Sequence, residues 1–569
     1  MRYLALACDN DGTLARHGEV DEATIEALMR LRTTGRRLLL VTGRQLDDLE
    51  RVFPHLHLFE RVVVENGAVI VDPATRDVKV IAEPPPEAFG RALESRAVPA
   101  AVGRVIVATW EPHETTVLET IRDLGLELQV IFNKGAVMVL PSGINKAAGL
   151  RTALEELALS AHNTVGIGDA ENDHAFLAIC ECAVAVANAL PALQSRCDWV
   201  TAGDHGAGVI ELIDEMIATD LASLAPRLSR HNILLGLSSA DEPVHLPPVG
   251  VCALLTGPSG SGKSTLATGL LERIAEQGYQ FCIIDPEGDY GPVAGAVSLG
   301  ESQREPSADE VLELLEKPGA NVVVNLLGVK LENRPGFFAR LIPRLQELRA
   351  RTARPHWIVV DEAHHLLPAS WDPAPLMLPQ AFEGVLLITV HPDHLAAAVL
   401  EAVDTVIALG PDAKDVLRYV PRAAAHGAVR GPAVQPETGE ALLWSTHLGA
   451  VPMRLRIVPP QADRRRHQRK YAAGELGEDK SFYFRGPGGR LNLRAQNLNL
   501  FAQLADGVDD ETWLFHLRRG DYSRWFRESI KDEGLAADTD IVERTPALDA
   551  AESRARIRAA IEQRYTGAA

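Results

Sequence analysis

Short apolar runs that end in a polar residue or a glycine recur along this chain, with helically spaced stretches between them. Residues 3–8 and Leu38-Leu39-Leu40-Val41 are two such runs, and Asp21 to Arg32 between them has helical spacing. A strand, a crossover helix and a second strand require a parallel sheet with helices on its faces. Val62-Val63-Val64 and Val165-Gly166-Ile167 continue the pattern. A second series runs through Val251 to Leu255, Phe281 to Ile284, Val322 to Leu326, Trp357 to Val360, Val385 to Thr389 and Val403 to Leu409. The predicted class is α/β, with two such sheets in succession.

The 569 residues suffice for about three domains of ordinary size. With 46% hydrophobic residues and a mean hydropathy of -0.02, the composition is that of a globular protein. No apolar run reaches the roughly 18–20 residues that a membrane span needs, so no membrane partner is expected. The start, Met1 to Cys8, resembles a leader but breaks at Asp9 after too few apolar residues. Cys8, Cys180, Cys182, Cys197, Cys252 and Cys282 are scattered. Cys180 and Cys182 have no second pair to complete a zinc site, so reduced thiols in a cytoplasmic protein are expected. A net charge of -20 repels phosphate backbones at long range and disfavours a general nucleic-acid binder, though a local basic channel remains open.

The predicted organisation is a first unit over residues 1–218, with an α/β insertion at about 82–140 that carries Val105-Ile106-Val107 and Val137-Met138-Val139-Leu140. After a linker at about 219–230, a second unit covers 230–460 and opens with a short hairpin over 230–250. Arg464 to Lys470 forms a basic connector. A compact helical module covers 470–545, and beyond it lies one terminal helix or a frayed tail.

Asp9-Asn10-Asp11-Gly12-Thr13-Leu14 directly follows the first run. Two carboxylates two residues apart, in a loop turning at Gly12, can face one point. A calcium loop is excluded: aligning Asp9, Asp11 and Gly12 as positions three, five and six puts Gly18 at position twelve, where a bidentate acid is required. Thr42-Gly43-Arg44, Asn145-Lys146 and Gly168-Asp169-Ala170-Glu171-Asn172-Asp173 follow at expected strand ends, where α/β sheets build sites.

These four elements, in this order, resemble the motifs of the haloacid dehalogenase superfamily over about residues 1–215, and the insertion is similar to that family's C2-type caps. The resemblance implies a Rossmann-like fold and a Mg²⁺-dependent phosphatase. Hydrolysis of phosphate monoesters needs up to ~10²¹-fold help, and a covalent intermediate divides the barrier. Asp9 would attack phosphorus and Asp11 would serve as general acid, then base. Asp9, the Asp11 carbonyl, Asp169 and Asp173 would hold Mg²⁺, while Thr42 and Lys146 would neutralise phosphoryl oxygens. Asn172 would orient the metal or Lys146. Trp110, His113 and Lys134 are the cap's candidates for reading the substrate, for which C2 caps imply a sugar phosphate or a small phosphorylated acid such as phosphoglycolate.

Gly257-Pro258-Ser259-Gly260-Ser261-Gly262-Lys263-Ser264-Thr265 follows the run Val251 to Leu255 and opens a helix. This is a complete Walker A loop in its required context. Backbone N–H groups from Gly257, Gly260 and Gly262 through Thr265 suit phosphates, Lys263 supplies charge, and Ser264 would ligate Mg²⁺. Trp357 to Val360 ends in Asp361, a metal carboxylate, and Glu362, placed to polarise water. Ile283 to Tyr290 and Leu387-Ile388-Thr389-Val390-His391-Pro392 end neighbouring strands. Together these resemble HerA/FtsK-type ATPases over about 230–460, with His391 or Thr389 where that group often carries a Gln at the γ-phosphate. The resemblance implies ATP as cofactor and a ring, often hexameric, with the finger arginine open among Arg340, Arg344, Arg418 and Arg430.

Phe482 to Pro487 and Gly520 to Phe526 interleave aromatics with arginine, which suits base stacking or a small core. The region from 461 is nearly neutral, so the core reading is favoured. The expected protein is a cytoplasmic bifunctional hydrolase: a phosphatase for a small phosphorylated metabolite joined to an ATPase. Its rivals are a polynucleotide kinase-phosphatase-like end-processing enzyme and an ATP-gated regulatory assembly.

Overall fold

Ala5 to Cys8 is buried at every position, as a central parallel strand must be. In the computed structural model, which describes all residues except 291–292, 294, 370–381, 429–434, 461–475, 478–479, 531, 546–547 and 566–569, this strand centres an eight-stranded sheet. The order is Trp199–Val200, Cys182–Ala185, Thr164–Gly168, Ala5–Cys8, Arg37–Val41 and Arg61–Val64, all parallel. Val69–Val71 and Val78–Val80 then add antiparallel strands. Helix Glu22–Thr33 crosses over as predicted and starts where Asp21 accepts the Thr24 N–H.

The insertion is a four-stranded antiparallel sheet, Ala101–Val102, Val107–Trp110, Ala136–Pro141 and Leu128–Asn133. Helices Glu87–Ser95 and Glu114–Asp123 bury Phe89, Leu93, Val117 and Ile121 against Val137 and Val139. It has a small core of its own, while its Val105, Ile106, Met138 and Leu140 pack into the core of the first sheet.

The second sheet has eleven strands. Its parallel part is ordered Thr405–Ala408, Cys252–Thr256, Val385–Thr389, Trp357–Val360, Phe281–Asp285, Asn321–Asn325 and Ala296–Leu299. Val385–Thr389 therefore lies between the glycine-loop strand and the strand ending at Asp361. The hairpin Ile233–Leu237 with Pro243–Leu246 is antiparallel and joins this sheet at its edge.

The third region is not wholly helical. It opens with a hairpin, Phe482–Phe484 against Leu493–Ala495, because alternate aromatics there face one core. Helices Leu498–Gly507, Asp510–Leu517, Asp521–Glu528 and Glu533–Arg544 follow. The chain end is a packed helix, Ala550–Tyr565, whose Ile557 and Ile561 are buried. The basic connector and Arg430 lie outside the described residues. Among the described residues no helix is long and apolar enough to cross a membrane.

Two candidate active sites

Strand Ala5–Cys8 delivers Asp9 to the C-terminal edge of the first sheet, and the chain then turns at Gly12 with φ +95°. A Cβ at Gly12 would lie 2.3 Å from Asp169 Oδ2, so only glycine lets the two loops meet. Lys146 opens helix Lys146–Glu156, which Asn145 caps by accepting the Ala148 N–H. That places the buried Lys146 ammonium 2.5 Å from Asp9 Oδ1 and 2.6 Å from Asp173 Oδ1. Asp173 Oδ2 accepts the N–H groups of Asp169 (2.8 Å) and Ala170 (2.9 Å). Both Asp173 oxygens are thus engaged in positioning the site.

Burial acts to lower the Lys146 pKa, but Asp173 and Asp9 outweigh it and raise it. Asp9 is held well above the usual carboxylate range by burial and by the charge of Asp173. Asp169 is raised too, by burial first, while Lys134 opposes. Three carboxylates sharing one buried place create a demand for more positive charge.

The donor set fits magnesium. Oxygens of Asp9, Asp169 and Asp173 lie within 4.8 Å of one another, and hard oxygen donors are what Mg²⁺ takes. A cation already stands there: Lys134 Nζ donates to Asp169 Oδ2 at 2.6 Å and to the Asp11 carbonyl at 3.1 Å. Lys134 sits at the tip of the cap hairpin, where Lys134 and Gly135 both have positive φ, 49° and 83°. A lysine in this left-handed position is strained relative to Asn or Gly. Trp110 pairs with Ala136 beside that tip, whereas His113 begins helix Glu114–Asp123.

Asp11 does not face Asp9's partners. Arg44 grips it with two bonds, Nε to Oδ2 at 2.7 Å and Nη2 to Oδ1 at 2.6 Å. Thr42 is fully buried, its hydroxyl accepting the Arg44 N–H. Asn172 donates to Asn66 Oδ1 rather than to Lys146. Sequence reasoning also missed Glu65. Its buried carboxylate accepts the N–H groups of Arg104, Val105 and Ile106, in the loop between cap strands Ala101–Val102 and Val107–Trp110.

In the second sheet, Gly257, Gly260 and Gly262 all have positive φ (154°, 78° and 97°), and helix Lys263–Glu276 follows. Lys263 Nζ folds back onto the carbonyls of Gly257 and Pro258 at 2.8 and 2.9 Å, while Ser264 and Thr265 open the helix beside it. Asp361 is buried, and burial followed by the charges of Asp285 and Glu362 holds its pKa well above the carboxylate range. Glu362, at φ 42°, has Oε2 buried without a hydrogen-bond partner. It is raised by burial and by Glu287, with Lys263 opposing. This is a carboxylate nest suited to a divalent ion beside a loop suited to phosphates. His391 follows Thr389, whose strand is directly paired with Cys252–Thr256, so it reaches the same edge. Arg344 pairs with Asp309 and Arg418 with Asp415.

Residues 6–88 and 103–213 match the haloacid dehalogenase-like hydrolase family, and residues 250–388 match an AAA domain. The phosphoglycolate phosphatase of Methanothermobacter thermautotrophicus is 30% identical over 218 residues, covering 37% of this chain and 96% of that protein. Phosphoglycolate phosphatase 2 of Saccharolobus solfataricus is 26% identical over 193 residues, covering 32% and 78%. The sucrose-phosphatase of Synechocystis, solved with sucrose and phosphate, is 20% identical, covers 38% of this chain and 99% of its own, and superposes with a TM-score of 0.32.

Proposed function

Because the chain belongs, over its first 213 residues, to the haloacid dehalogenase-like hydrolases and carries an AAA domain behind them, we propose that it joins an aspartate-nucleophile phosphatase to an ATP-driven machine. Mg²⁺ and ATP are the cofactors of these two kinds of domain. We take the phosphatase to occupy 1–218 with its cap at about 82–140, the ATPase 230–460, and the accessory module 470–545 together with the packed terminal helix.

Asp9 Oδ attacks phosphorus and the bond to the leaving oxygen breaks, giving a phosphoryl group on Asp9. Asp11 gives its proton to that oxygen, then takes one from the water that attacks phosphorus and releases Asp9 and phosphate. For this Asp11 must exchange Arg44 for the leaving oxygen, a movement that substrate and cap closure would drive. Lys146 and Thr42 hold the phosphoryl oxygens. Mg²⁺, held by Asp9, the Asp11 carbonyl, Asp169 and Asp173, would supply charge neutralisation in the transition state.

The observation that carries the substrate reading is Lys134, an ammonium that the cap holds over Asp169 and the Asp11 carbonyl. With a metal on those oxygens the Lys134 ammonium would be released from them and available to the substrate. A carboxylate a bond or two away would meet it. We therefore favour a small phosphorylated acid, in keeping with the relatives named phosphoglycolate phosphatase, over a phosphosugar. Comparing kcat/KM for phosphoglycolate, hexose phosphates and a 3′-phosphorylated oligonucleotide tests this. A wide margin for the oligonucleotide would replace it with end processing.

In the second domain Lys263 and Ser264 would hold ATP and its metal, Asp361 would carry the metal through water, Glu362 would polarise the attacking water, and His391 would touch the γ-phosphate. We infer a HerA-like ring in the cytoplasm. Light scattering with a non-hydrolysable ATP analogue should report an oligomer; a strict monomer under every nucleotide condition would remove the ring.

A further inference from the structure

Thr389 gathers histidines at the strand end that faces the ATP site. Its hydroxyl accepts the His391 N–H at 3.0 Å and lies 3.0 Å from His364 Nδ1. From there His391-Pro392-Asp393-His394 winds into a 3₁₀ turn. The turn is pinned at its far end: His394 N–H donates to the His391 carbonyl (3.1 Å), and Ala369 N–H donates to the His394 carbonyl (2.7 Å). The rings of His391 and His394 stack with centroids 4.7 Å apart, and His364 stands edge-on to His391 at 5.4 Å.

One nitrogen from each of His391 and His394 and one oxygen of Asp393 lie within 4.8 Å of one another, all three side chains being open to solvent. Mg²⁺ prefers oxygen ligands, whereas two imidazoles and a carboxylate suit Zn²⁺, Co²⁺ or Ni²⁺. The backbone bonds that pin the turn hold the ligands together before any ion arrives. We propose that His391, Asp393 and His394 bind a divalent transition-metal ion, and that the bound ion withdraws His391 from the ATP site. The second half rests on the reading of His391 as the γ-phosphate residue; the first does not.

The test uses the full chain and Zn²⁺, with excess Mg²⁺ present to fill the all-oxygen sites. Calorimetry should show one zinc per chain that His394→Ala and Asp393→Asn each weaken by at least the roughly 10–100-fold that losing even an outer partner of a metal ligand costs. Both positions are exposed, so both variants should melt as the parent does. Equal zinc stoichiometry and affinity in parent and variants would overturn the site. Micromolar zinc should also slow ATP turnover in the parent and not in His394→Ala. Equal inhibition in both would overturn the withdrawal of His391. A zinc-free parent that hydrolyses no ATP would instead count against the ATPase reading, and calorimetry would still decide the metal site.

Discussion

At the scale of single residues, the phosphatase site is a balance of buried charges, and two side chains dominate its behaviour. Asp9→Asn removes the carboxylate proposed as nucleophile, so hydrolysis of an aryl phosphate should fall to background; full activity would exclude the mechanism. Lys134 stands where a metal would be held and costs strain to keep there. Lys134→Ala should therefore lower the Mg²⁺ concentration needed for half-maximal thermal stabilisation, because an internal competitor is gone. The same change should reduce kcat/KM for phosphoglycolate by roughly 10–100-fold, the worth of one charge-assisted hydrogen bond. An aryl phosphate, lacking a carboxylate, should lose far less. Equal losses on both substrates would show that Lys134 does not read the acid.

At the scale of elements, the cap hangs on Glu65. Glu65 and Asn66 both adopt left-handed backbone, φ 50° and 54°, conformations that cost about 1–3 kcal/mol each and persist where surroundings demand them. The Glu65 side chain there accepts the three N–H groups from Arg104 to Ile106. Glu65→Ala should speed hydrogen exchange at those amides and lower kcat/KM for a small substrate through poorer cap closure. Unchanged exchange would remove Glu65 as the clamp on this cap loop. In the second sheet, Glu362 sits at a strand end beside Asp361 and Lys263. Glu362→Gln keeps its shape but loses its charge, so ATP should still bind while turnover falls by roughly 10²–10⁴. Turnover at the parent rate would mean that another group activates the water.

At the scale of the whole molecule, the two sheets meet through the N-terminal ends of their strands. Glu181, just before Cys182–Ala185, pairs with Arg2 and accepts from His162 Nδ1 (2.8 Å) and from the Tyr279 hydroxyl (2.7 Å). His162 stacks on Tyr279 at 3.7 Å, and its Nε2 lies 2.7 Å from the Gln277 carbonyl. Arg354 crosses to the Ala158 carbonyl at 3.0 Å, and Arg230 anchors the linker on Asp198. Both catalytic edges thus lie a strand's length away, about 16 Å for five residues. Burial would raise the Glu181 pKa, but His162, Arg2 and Tyr279 outweigh it and bring it to about 2. Its folded pKa is depressed, so its contribution, on the order of 3 kcal/mol, is complete above the ordinary carboxylate pKa. It is lost as pH falls from about 4.5 toward 2. Glu181→Gln should lower the unfolding midpoint at pH 7 and flatten this acid dependence. An unchanged midpoint would show that the junction does not hold the halves together.

The motifs were legible because their chemistry needs particular residues at short spacings: Asp9 and Asp11, Asp169 and Asp173, the glycines before Lys263, and Asp361 with Glu362. The alternation of apolar runs and helical stretches likewise determined two parallel sheets, since each buried strand must be apolar throughout. The opening hairpin of the last module was less visible, because Phe482 to Phe484 is too short a run to separate strand from helix by period. Nothing in the sequence linked Arg44 to Asp11, Glu65 to Arg104, Lys134 to Asp169 or Glu181 to Tyr279. Those pairs are separated by 33 to 98 residues, and a charged residue reads alike in sequence whether solvent or a buried partner awaits it. Only the tertiary structure, by desolvating one partner and fixing the other, decided which charges would act.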